Sequence, residues 1–86
     1  MKITEINIKL VKPKEGLVGF ASFVIDDSVY CSLVSIHTRI RGGYRLVYPT
    51  KIVGNRCFEV FHPISLQAGM QIEQAVVAKY RTLVSE

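Results

Sequence analysis

Polar and apolar positions alternate from the start of the chain. Thr4, Ile6, Ile8 and Leu10 fall on one side of an extended backbone, and Glu5, Asn7 and Lys9 on the other. A period of two predicts a strand over residues 2–12. The run Val11-Lys12-Pro13-Lys14-Glu15-Gly16 reads as a turn, opened by Pro and closed by Gly. A second strand is expected over Leu17–Ile25. It is apolar on both sides, with Leu17, Ala21, Phe23 and Ile25 against Val18, Phe20 and Val24. A strand of this kind sits centrally, with something packed on each face or with one face in an interface. Gly19 marks a bend or a close backbone approach.

Asp26-Asp27-Ser28 is short enough for a hairpin connection. A third strand is expected from Val29 to Thr38, with Tyr30, Val34 and Ile36 on one face and Val29, Cys31, Leu33 and His37 on the other. The Gly42-Gly43 pair then supplies a turn, because glycine adopts positive backbone angles freely. Tyr44–Tyr48 reads as a fourth strand, stopped by Pro49. Thr50–Arg56 reads as a polar, basic loop and Cys57–Phe61 as a fifth strand. Beyond His62-Pro63 the period lengthens. Ile72, Ala75, Val76, Tyr80 and Leu83 share one face of a helix expected from Leu66 to about Val84, with Ser65 as its N-cap. Gly69 weakens the first turn by about 1 kcal/mol relative to Ala. The expected fold is α+β: an antiparallel meander of five strands followed by one helix that covers one face of the sheet. The other face needs a second cover, and a partner subunit is the simplest one.

Composition narrows the class. A chain of 86 residues, 49% of them hydrophobic, is expected to form one domain, residues 1–86, with a small core. Self-association is a common way for so small a domain to bury more surface. The alternating N-terminus lacks the continuous apolar run of a signal peptide, and no segment reaches the length of a membrane span. The expected location is therefore the cytoplasm, with no membrane partner. Cys31 and Cys57 both fall in strand-like apolar runs, which predicts two buried thiols.

Charge adds a direction. The chain holds 11 Lys plus Arg and 7 Asp plus Glu, for a formal net charge of +4. No acidic residue occurs from Ser28 to Phe58, while Arg39, Arg41, Arg45, Lys51 and Arg56 all do. The whole positive excess lies in the middle third. A one-sided positive field attracts polyanions by steering and counterion release; the competing reading is a solvated surface that keeps the protein soluble.

At this point several segments match a known family. The start MKITEINIKL, the strand ASFVIDD, the triplet Pro49-Thr50-Lys51 after Tyr48, the segment His62-Pro63-Ile64, and the helix positions Ile72, Ala75, Val76 and Tyr80 occur in the order and spacing of the stage V sporulation protein G (SpoVG) family. The chain resembles that family over essentially its whole length. The resemblance implies a five-stranded, mostly antiparallel sheet with a C-terminal helix, and a homodimer built through sheet edges. It implies a link to sporulation and division septum formation, with DNA, and in some members RNA, as the partner of a regulator. It implies no catalytic activity and no cofactor. Thr50 stands where the family usually has Ser, and Ile52 where many relatives carry a second basic residue.

The candidate nucleic-acid contacts are Arg39, Arg41, Arg45, Lys51 and Arg56. Long cationic side chains reach phosphates, and Arg also forks onto a guanine edge. If the two basic loops lie together, they form one positive rim. Tyr44 and Tyr48 are interleaved with these charges and either stack on a splayed base or pack half-buried on the sheet. Gln67, Gln71 and Gln74 offer amides on the helix, read either as base contacts or as a solvated face. Cys31, His37, Cys57 and His62 match no zinc spacing, and His62 reads as a hydrogen-bonding residue at a strand end. No nucleophile or phosphate-binding motif is present, which argues against an enzyme. The runner-up function is a protein-interaction module in cell division or sporulation that does not itself bind nucleic acid.

Overall fold

The computed structural model describes residues 1–84. The fold is α+β, with six strands and one helix in the order β1 (Ile3–Lys14), β2 (Leu17–Ile25), β3 (Val29–Thr38), β4 (Tyr44–Val47), β5 (Thr50–Val53), β6 (Arg56–Glu59) and α1 (Leu66–Leu83). β1 to β4 form an antiparallel sheet in sequence order, and β5 and β6 form a separate two-stranded ribbon. The expected count of five strands is corrected to six. The basic segment expected to be a loop pairs with the strand after it, Thr50 opposite Glu59 and Val53 opposite Arg56. Gly54 makes this possible by taking φ +61 in the two-residue turn between them.

The first turn is also shorter than expected. β1 continues through Pro13 to Lys14, and only Glu15 (φ +52) and Gly16 (φ +92) reverse the chain. Pro is tolerated there because β1 is an edge strand, where an absent N–H leaves no ladder bond unmade. Asp26 (φ +50) and Asp27 (φ +54) make the next turn, closed by Ser28 N–H donating to Ile25 O at 2.9 Å.

The core forms where α1 crosses the meander from β1 to β4. Ile72, Val76 and Tyr80 of α1 are buried with Val18, Ala21, Phe23, Cys31, Val34 and Ile36 of the sheet. Phe23, Val34, Ile36 and Val76 are fully enclosed, and burying each such side chain stabilises the fold by about 1.5–3 kcal/mol. The helix begins as the sequence predicts: Ser65 Oγ accepts from Ala68 N–H at 3.1 Å. Gly19 sits where a Cβ would come within 3.1 Å of Lys9 O, which accounts for the missing side chain.

The faces of the long strands depart from simple alternation. Two β-bulges flank the middle of β2. Glu5 and Ile6 stand against Phe23 on one side, between the Thr4–Val24 and Asn7–Ser22 pairs. Ser32 and Leu33 stand against Ser22 on the other, between the Ala21–Val34 and Phe23–Cys31 pairs. Each bulge contains a residue with positive φ, Glu5 at +51 and Leu33 at +61. A bulge resets the alternation by one residue. Cys31 therefore shares the core face with Val34 and Ile36, and Ile3 joins Ile6 and Ile8 against the core. A third shift beside Leu17 turns Val18 inward. Phe20 and Val24 remain on the face away from α1, half-buried and outside the core cluster. Cys57, expected buried, is exposed, because the ribbon that carries it packs against no other strand or helix to any extent.

Ser65→Ala is expected to lower stability by about 1 kcal/mol through loss of the cap. Gly69→Ala is expected to raise it by roughly 0.5–1 kcal/mol, since its Cβ would meet only Pro63 Cγ, at an ordinary 3.6 Å. Urea denaturation of the two variants beside the parent reads both signs.

Candidate nucleic-acid interface

The five basic residues of the middle third divide between two projections and one sheet face. Arg39, Ile40, Arg41, Gly42 and Gly43 link β3 to β4. Arg39 N–H donates to Gly43 O at 3.0 Å and Gly42 N–H to Arg39 O at 3.1 Å, which closes the turn. Gly42 (φ +98) and Gly43 (φ +82) supply the positive angles it needs.

Arg39 is not a free cation. Its Nε donates to Tyr44 O at 3.0 Å, and its guanidinium reaches both carboxylate oxygens of Glu73 on α1, at 3.2 and 3.4 Å. It ties the turn to the helix and gives part of its charge to that tie. Arg41, Arg45, Lys51 and Arg56 are exposed, and among the described residues no ion pair engages them. Ile40, between the two turn arginines, is fully exposed at 105%.

Arg45 pairs in register with His37, and the adjacent Ser35 pairs with Val47. These side chains share the sheet face away from α1, because Tyr44 and Leu46 on the opposite side pack into the core. Lys51 and Arg56 lie on the ribbon. Lys51 pairs with Phe58, and Val53 with Arg56. By the pleat, these four side chains share one ribbon face, with Ile52 and Cys57 on the other. Lys51 and Arg56 thus bracket Val53 and Phe58, which are 54% and 47% exposed. Phe58 was missed in the sequence because its segment read as the fifth strand of the meander and the residues before it as a loop, so Lys51 was not placed opposite it.

The two basic segments leave opposite ends of β4: the turn of Arg39 and Arg41 precedes it and the ribbon follows it, and the ribbon packs against no other strand or helix to any extent. Neither tyrosine is free to stack on a base. Tyr44 meets the Tyr80 ring at 4.8 Å and carries the Arg81 guanidinium 5.2 Å from its centroid. Tyr48 lies edge-on to Phe61 at 5.8 Å. Both take the packing role that competed with stacking. Burial pushes the Tyr48 phenol up to about 12, assisted by the negative charges of the Glu73 carboxylate and the Cys31 thiolate. Burial likewise pushes the Cys31 thiol up. Gln67 and Gln74 are exposed on the outer side of α1 and Gln71 is half-buried. His62 is bonded as expected at a strand end, through Nδ1 to Pro63 O at 3.0 Å and Nε2 to Glu59. Among the described residues, no three of His, Cys, Asp and Glu cluster in a way that could hold a metal, and no helix is long and apolar enough to cross a membrane.

A sheet covered on one face by a C-terminal helix, followed by a basic ribbon rooted at Pro49, matches the segment order noted in the sequence. The family model described as SpoVG matches residues 1–82. The chain belongs to the SpoVG family. It is 37% identical over 83 residues to a Finegoldia magna protein named "Putative septation protein SpoVG", covering 93% of this chain and 74% of that protein. It is 26% identical over 88 residues to a Phytoplasma australiense protein of the same name, covering 99% of this chain and 88% of that one. In SpoVG terms, the matched span includes every strand, the ribbon and nearly all of α1.

Tyr48 makes a pH test of the fold. Its folded pKa of about 12 lies above the ordinary phenol value of 10.0. The unfolded chain therefore loses this proton first as pH rises. The stabilisation is fully present below pH 10 and is lost progressively as pH approaches 12. Tyr48→Phe is expected to flatten that part of the stability–pH curve. Denaturation midpoints of parent and variant at intervals across the window check it, and parallel curves would count against it.

Proposed function

We propose that this chain is a non-catalytic, dimeric, cytoplasmic regulator that binds double-stranded DNA through its β5–β6 ribbon. The supporting observation is the ribbon face itself. Lys51 and Arg56 bracket Val53 and Phe58, and no acidic residue interrupts that face. A two-stranded ribbon fits the major groove of B-DNA, and Lys or Arg on it reaches phosphates and guanine edges. Arg41 at the turn and Arg45 on the sheet add to the attraction at longer range. Arg39 acts as the tie between turn and helix. RNA is the second candidate partner. Membership of a family whose relatives carry a septation name supports a role in cell division or sporulation.

The dimer has its own support. An isolated two-stranded ribbon is marginal in water, and this one leaves Ile52 75% exposed on the face away from Lys51. A second copy meeting the sheet edges near β4 and the ribbon covers that side and leaves the cationic side outward.

One observation favours the runner-up, a protein-interaction module in division or sporulation. Ile64, Leu66 and Met70 are 93%, 82% and 50% exposed around the start of α1. Ile64 also rims an apolar pocket of about 400 Å³ with Phe23, Tyr30 and Phe61.

Fluorescence anisotropy with labelled duplex DNA and matched RNA at several salt concentrations separates the two readings. Parent binding is expected to weaken steeply with salt, and Lys51→Ala/Arg56→Ala to lower the log–log slope by about 2. A folded parent that binds neither nucleic acid at low salt moves the function to the interaction module. Light scattering is expected to report a dimer for the parent and a monomer for Ile52→Asp.

A further inference from the structure

We infer that the sheet face away from α1 is a second binding surface, for single-stranded nucleic acid, with one unpaired base seated between Phe20 and Leu33. This goes beyond the duplex reading and does not depend on it. Cross-strand register assembles the face from residues scattered through the first half of the chain. One row runs Lys14, Leu17, His37, Arg45, and the next runs Lys9, Phe20, Ser35, Val47. Neither row contains a carboxylate. Lys14 and Arg45 stand on opposite edge strands, about 14 Å apart at the usual strand spacing. A strand crossing the sheet passes a cation at each side.

Beside that row, around Phe20 and Ser22 on the way to the Asp26–Asp27 turn, lies a shallow depression of about 270 Å³, with Asn7, Lys9, Phe20, Ser22, Ser32 and Leu33 at its walls. Phe20 offers an aromatic face and Leu33 an apolar wall opposite. The amide of Asn7 and the hydroxyls of Ser22 and Ser32 can bond to base edges. Lys9 supplies a cation at the rim. Stacking on an aromatic side chain combined with a positive track is how sequence-tolerant single-strand binders work, and an open antiparallel sheet backed by helices is a known platform for it.

Leu33 is the independent sign that this depression is built for use. It is a bulky residue at φ +61, a region that penalises side chains, and it is 68% exposed. Backbone strain is held there, with little burial in return. Strain of that kind concentrates at binding sites. The bulge leaves an exposed apolar side chain beside Phe20 on the outer face.

The test uses mixed-sequence single-stranded RNA and single-stranded DNA carrying 2-aminopurine, whose fluorescence is quenched on stacking. The parent is expected to bind and quench at least one of the two, and the two arms show which sugar is preferred. Phe20→Leu, which keeps an apolar side chain, is expected to weaken binding about tenfold and to abolish the quench. Leu33→Gly is expected to weaken binding several-fold while holding or raising thermal stability, because glycine accepts this backbone freely. A Lys14→Ala/Arg45→Ala variant is expected to reduce the salt slope by about 1.4. In Lys51→Ala/Arg56→Ala the Phe20-dependent quench at saturating strand is expected to persist even where affinity falls, which separates this surface from the ribbon. Unchanged affinity in both Phe20→Leu and Leu33→Gly overturns the inference, as does a parent that binds neither single strand. A Leu33→Gly protein that loses its dimer in light scattering also overturns it, and assigns the face to a second copy of the chain. A parent that fails to bind duplex but passes these tests removes the ribbon proposal and leaves this one standing.

Discussion

The packing of Ile72, Val76 and Tyr80 onto β2 and β3 is the contact on which the molecule depends. The fully enclosed side chains, Phe23, Val34, Ile36 and Val76, all belong to it. Among the described residues there is no second core to share the load. Everything with a candidate role is positioned by this layer. The turn of Arg39 is fastened to the helix through Glu73. The face of Phe20 and Arg45 is simply the side of the sheet that the helix leaves open. The ribbon hangs from the layer at Pro49 and Val60, joined by the Val60 N–H bond to Pro49 O at 3.0 Å.

How much of this could be read in advance follows from the range of the forces involved. The helix was legible because its cap, its start and its apolar stripe are local: Ser65 and the spacing of Ile72, Val76 and Tyr80 carry it. The hairpin turns were legible from Asp26-Asp27 and Gly42-Gly43. The bulges were not, because Glu5 and Leu33 are not residues that announce a positive φ. Their conformations follow from pairing on both sides of β2. The β5–β6 ribbon was missed although Gly54-Asn55 is a strong turn signal. The cations and polar groups of Thr50–Arg56 masked the alternation of Lys51, Ile52 and Val53.

The candidate site shows the same division. Which residues carry the positive charge was plain from the acid-free middle third. What each charge is available for was not. Arg39 is engaged by a carboxylate 34 residues away, and Tyr44 and Tyr48 are turned into the packed side by the pleat. Phe58 and Lys51 become neighbours only through pairing. A one-dimensional cluster of cations is thus divided by the fold into a structural tie, a sheet face and a ribbon face, each with its own apolar company.

The two bulges flanking β2 have a consequence for how the chain finds its fold. In a regular meander, neighbouring strands can slide by two residues and still place alternate side chains on the correct faces. Here the interruption in β1 and the interruption in β3 face successive residues, Phe23 and Ser22, on the strand between them. Sliding either hairpin by two residues separates its bulge from its own complement and from the other bulge. The meander therefore carries an internal index mark. Misaligned intermediates pay twice, and β2 can be gripped from both sides in only one alignment.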